Sequence, residues 1–160
     1  MINRKTGALI SCALNLGALL GTVDQDTVKG MSAFGRILGL VFQIRDDYLG
    51  IWGLEENTGK KVANDVRRKK NSLPIIHVLQ NGSQGCVTEI SNIYGKDCID
   101  EDDVGRVLSI LNDVGTTEYM DKLANSYASN AMNLLETIKI DKVYRMELRE
   151  LIAFLLKRDN

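Results

Sequence analysis

The chain has 160 residues, 44% of them hydrophobic, and a formal net charge of −1. That length bounds it to one domain or part of one, and the near-neutral total excludes the strongly basic footprint of a nucleic-acid binder. Three cysteines, Cys12, Cys86 and Cys98, match no zinc or redox spacing and fit a reduced, cytoplasmic setting.

One proline and few aromatic residues favour helices over a β-sandwich. Residues 3–20 read as the first helix, with Leu9, Ala13, Leu16 and Leu20 at helical spacing. Arg4 and Lys5 precede an uncharged stretch, residues 6–23, which has the look of a signal peptide's start. The apolar part is too short, and Asn15 and the glycines weaken a span. An amphipathic or buried helix is the favoured reading, with no stable membrane insertion. Thr22 to Asp26 form a turn in which Asp24 or Asp26 can cap the next helix.

That next helix, from Asp24 to about Trp52, carries the polar centre of the chain. Asp46 and Asp47 sit inside the apolar run GLVFQIRDDYLG. Burying a carboxylate costs several kcal/mol unless it is paired or holds a metal. At roughly 100° per residue, Gln43, Asp46, Asp47 and Gly50 share one narrow stripe, with Arg36 and Gly39 further back. Paired carboxylates one turn from an amide suit a hard cation such as Mg²⁺, which keeps waters and bridges to phosphate. An ion pair with Arg36 or a basic neighbour is the structural alternative. Gly35 and Gly39 form a small-xxx-small pair, which in a soluble protein marks close approach of another helix.

Residues 53–72 break the periodicity as a polar loop with Lys60, Lys61, Arg67, Arg68, Lys69 and Lys70. It is not a P-loop: five residues separate Gly53 from Gly59, and Lys61 stands where Ser or Thr belongs. A loop of that charge folding back over the aspartate stripe suits a diphosphate. Pro74 opens a helix that runs to Asn81-Gly82. His77 lies among Ile75, Ile76, Val78 and Leu79 and reads as a core residue rather than a ligand. A short helix is expected over 84–95. The acidic cluster Asp100 to Asp103 reads as capping rather than a metal site. Helices follow at about 102–114, 117–138 and 143–157.

These pieces resemble the trans-isoprenyl diphosphate synthases, the polyprenyl synthetases. Gly39-Leu40-Val41-Phe42-Gln43-Ile44-Arg45-Asp46-Asp47 resembles their second aspartate-rich motif. Lys5-Thr6-Gly7-Ala8-Leu9 resembles the Lys-Thr motif upstream of it. Thr58-Gly59-Lys60 and Lys70-Asn71-Ser72-Leu73-Pro74 resemble the two lysine motifs downstream. Four motifs in order make a specific signal, firm over residues 5–79, with wording nearest the geranylgeranyl type.

The resemblance implies an all-α chain, a single helical domain forming the C-terminal part of the isoprenoid synthase fold. It implies a prenyltransferase of isoprenoid biosynthesis that joins an allylic diphosphate to isopentenyl diphosphate with Mg²⁺. By motif, Asp46 ligates Mg²⁺ and Asp47 ligates or supports it. Lys5, Lys60 and Lys70 contact diphosphate, and Thr6 and Gln43 line the site. Two departures stand out. Gly50 occupies the last position of the family's DDxxD, so Gly50→Asp is expected to tighten Mg²⁺ binding. The 160 residues contain no DDxxD, and the family's first aspartate motif lies upstream of the Lys-Thr motif. The expected chain is therefore the C-terminal half of a synthase, inactive alone, acting as a homo-oligomer or with a complementary N-terminal half. Rival readings are a non-catalytic helical subunit and a class I terpene cyclase, whose second metal motif Asp46 to Gly50 does not match.

Overall fold

The computed structural model describes residues 6–54 and 61–157. They form helices α1 (Thr6–Gly21), α2 (Gln25–Trp52), α3 (Asn64–Arg67), α4 (Leu73–Asn81), α5 (Gln84–Gly95), α6 (Glu101–Asp113), α7 (Thr116–Thr137) and α8 (Lys142–Leu156). No strand occurs among the described residues, and none of their helices is long and apolar enough to cross a membrane. The expected helix ends hold to within a few residues. The one element the composition hid is α3, a single turn inside the polar loop.

The chain divides into two compact units. The described residues up to Arg45 and from Lys122 onward make the first, and those between Asp46 and Asp121 make the second. α2 and α7 each contribute one end to either unit.

The first unit packs α1 and α8 around the apolar faces of α2 and α7. Met31, Phe34, Leu38 and Val41 recur on α2 at intervals of three and four, and meet Ala128, Ala131 and Leu135 of α7 and Ile152 and Leu155 of α8. Full burial of a side chain such as Phe34 or Leu135 contributes about 1.5–3 kcal/mol. α2 begins where Asp24 accepts hydrogen bonds from the Asp26 amide at 3.4 Å and the Thr27 hydroxyl at 2.8 Å. Of the two capping candidates, Asp24 and Asp26, it is Asp24 that takes the role. The Thr27 bond, first among the causes, holds the Asp24 carboxyl below its usual range.

The antiparallel crossing of α1 and α2 depends on missing side chains. A Cβ built on Gly35 would lie 2.7 Å from the Cα of Ser11, and one on Gly39 would lie 2.4 Å from the Cα of Gly7. The Ser11 hydroxyl, buried at this contact, donates to the Ser32 carbonyl at 2.8 Å. α1 also leaves Leu9, Leu16, Leu19 and Leu20 exposed, Leu20 at 91%.

The core of the second unit gathers Ile51 of α2, Val66 of α3, Ile75 and Val78 of α4, Ile90 and Ile93 of α5, and Val104, Val107, Ile110 and Leu111 of α6. α6 opens on a full capping box. The Asp103 amide donates to the Asp100 carboxylate at 2.8 Å, and the Asp100 amide donates to Asp103. The acidic cluster is thus a helix start. Lys96 bonds Asp103 at 2.6 Å and is the first cause of that carboxyl's lowered pKa. His77 is buried, with Nδ1 3.0 Å from the Thr116 hydroxyl and its ring stacked on Tyr119 at 4.0 Å. The core reading of His77 holds.

Candidate functional site

The C-terminal end of α2 brings its two aspartates into different environments. Asp46 is partly exposed, whereas Asp47 is buried. Both oxygens of Asp47 are engaged. Oδ2 accepts a hydrogen bond from the Leu73 amide at 2.9 Å, and Oδ1 accepts one from Lys70 Nζ at 3.2 Å. Leu73 is the first residue of α4, and the Ser72 side chain makes no capping bond there. Asp47 therefore caps α4 from another helix, placing a negative charge at the end of the dipole that favours it.

Lys70 is delivered to that point by the reversal around α3. The Ala63 amide donates to the Ile51 carbonyl at 2.9 Å, which returns the chain to the end of α2. Ala63 and Lys69 both adopt left-handed backbone, with φ of 56° and 50°. Such residues cost about 1–2 kcal/mol each outside glycine; here they frame the single turn of α3. After the second of them, the Lys70 amide donates to the Asp65 carbonyl at 2.9 Å. The Lys70 ammonium then donates to Asp65 Oδ2 at 2.8 Å as well as to Asp47. Desolvation pulls this ammonium down, but its bonds to Asp65 and Asp47 outweigh that, and it titrates above the ordinary lysine range. Its side chain remains 43% exposed, so the charge is held in place while still open to a ligand.

Asp65 is the residue that the sequence reading passed over. It is buried, and it lies in a charge run that composition alone marks as solvated. Nearby, burial first and the Asp65 charge second push the Tyr94 hydroxyl well above the usual tyrosine range. That hydroxyl has no hydrogen-bond partner among the described residues. Two other basic residues of the loop serve elsewhere. Arg67 forms a two-pronged pair with Glu101 at 2.6 and 2.8 Å, and Lys69 donates to the backbone carbonyls of Lys96 and Asp97.

In the first unit, the Thr6 hydroxyl donates to Gln43 Oε1 at 2.9 Å. The Lys-Thr segment and the amide of the aspartate stripe are thereby joined at the end of the α1–α2 crossing. Lys5 and Lys60 lie outside the described residues.

The donor chemistry suits Mg²⁺: carboxylate oxygens on a rigid helix beside a fixed ammonium. Among the described residues no three His, Cys, Asp or Glu side chains converge on one point. A partly exposed carboxylate such as Asp46 fits a cation that keeps waters and takes phosphate oxygens.

A Cβ built on Gly50 would lie 2.4 Å from Asp65 Oδ2. A side chain at position 50 would meet the Asp65 carboxyl group.

Comparison with known proteins assigns the family. The family model described as polyprenyl synthetase matches residues 1–111. Geranylfarnesyl diphosphate synthase from Aeropyrum pernix is 34% identical over 159 residues, which are 99% of this chain and 49% of that protein. Geranylgeranyl diphosphate synthase from Mycobacterium tuberculosis is 43% identical over 90 residues, 56% of this chain and 25% of that protein. The crystal structure of geranylgeranyl pyrophosphate synthetase from Pyrococcus horikoshii superposes with a TM-score of 0.87 at 32% identity, covering 99% of this chain and 47% of that one. A synthase from Corynebacterium glutamicum, solved with isoprenyl diphosphate and magnesium, gives 0.88 at 27% identity, covering 98% and 45%. The chain spans about half the length of the curated relatives that it matches end to end. It belongs to the polyprenyl synthetase family.

Proposed function

We propose that these 160 residues form one wall of a prenyl diphosphate synthase site, the wall that holds the leaving diphosphate through Mg²⁺ and lysine. The observation that carries this reading is the junction of Asp47 with Lys70 and the Leu73 amide. It ties the second aspartate motif directly to a downstream lysine motif. The likeness to a Corynebacterium synthase solved with isoprenyl diphosphate and magnesium supports it.

In this reading Asp46, the more exposed of the pair, ligates Mg²⁺, and Asp47 supports it from the buried side. Lys70 donates to a diphosphate oxygen, with Lys5 and Lys60 assigned the same task by motif, and Thr6 and Gln43 assigned to the lining. Bound Mg²⁺ supplies electrostatic stabilisation of the leaving diphosphate. As the allylic C–O bond breaks, the bond's electron pair leaves with the diphosphate. The isopentenyl double bond then attacks the allylic carbon, and a proton is lost from the adduct. The contribution of this chain is fixed positive charge, already oriented by Asp47 and Asp65, where negative charge develops. Such help needs groups on both sides of the leaving group, and the 160 residues carry no DDxxD. Alone they therefore bind diphosphate without completing prenyl transfer.

Calorimetric titration with inorganic pyrophosphate, with and without Mg²⁺, tests the binding. Heat that requires both components and is lost in Asp46→Ala is the expected result. Equal pyrophosphate binding with and without Mg²⁺, or equal binding by Asp46→Ala, would make the aspartates structural.

A further inference from the structure

We draw no further inference here: the strongest candidate, the exposed leucine face of α1 formed by Leu9, Leu16, Leu19 and Leu20, carries none, because nothing in the structure shows what covers it.

Discussion

Gly7 and Gly39 bring α1 and α2 into backbone contact. A Cβ on Gly39 would lie 2.4 Å from the Cα of Gly7 and 3.0 Å from its nitrogen. The obstacle is main chain, which cannot rotate out of the way. Gly39→Ala should therefore push the helices apart and cost about 1–3 kcal/mol. Gly105→Ala is the control. Nothing lies within 4 Å of a Cβ at 105, an exposed position inside α6. It should stabilise by about 0.5–1 kcal/mol through helix propensity. Urea unfolding of both variants reads the two signs in one experiment. A neutral Gly39→Ala would mean that the two helices have room to spare.

His77 sets the pH dependence near neutrality, because the chain has one histidine. Burial holds its pKa below the ordinary histidine value of 6.5. The sign follows from linkage. Below about pH 6.5 the unfolded chain takes up a proton that the folded one refuses, so stability falls as pH drops from there toward the folded pKa. The parent should melt lower at pH 5.5 than at pH 7.5, and His77→Gln should remove most of that slope. A slope that persists in His77→Gln would assign it to other groups.

Lys70 is the shared cation of Asp47 and Asp65. Lys70→Met keeps the length of the side chain and removes the charge, leaving two buried carboxylates without their common ammonium. Partial exposure of the lysine limits the loss, which should be about 1–2 kcal/mol in urea unfolding. Magnesium-dependent pyrophosphate binding should fall in the same variant by about tenfold or more. Unchanged affinity in a folded Lys70→Met would remove Lys70 from the diphosphate contacts.

The helices were legible in the sequence because their apolar residues recur at the helical period. Met31, Phe34, Leu38 and Val41 are the example on α2. Local chemistry was legible as well: Asp24 at a helix start, Asp100 to Asp103 as a capping box, Pro74 in a first turn, and Gly39 as a point of close approach. Each depends on residues near in sequence or on the absence of a side chain. Asp65 was not legible. Its place is fixed by a contact fifteen residues back along the chain, at Gly50, and by left-handed backbone at Ala63 and Lys69, where no glycine signals it. Periodicity has no term for a carboxyl group arriving from another element. The different burial of Asp46 and Asp47 was hidden for the same reason. One stripe holds both, and the Leu73 amide and Lys70 select Asp47 for the buried role.

The central claim is that these residues make up one wall of a prenyl transfer site. Its most direct test is transfer of radiolabelled isopentenyl diphosphate to an allylic diphosphate in Mg²⁺, run on the purified chain alone and on the chain mixed with the N-terminal half of a related synthase. The account predicts no prenyl product from the chain alone and product on mixing, lost again when the chain carries Asp46→Ala. Product from the 160 residues alone, or the same yield on mixing with Asp46→Ala, would contradict it.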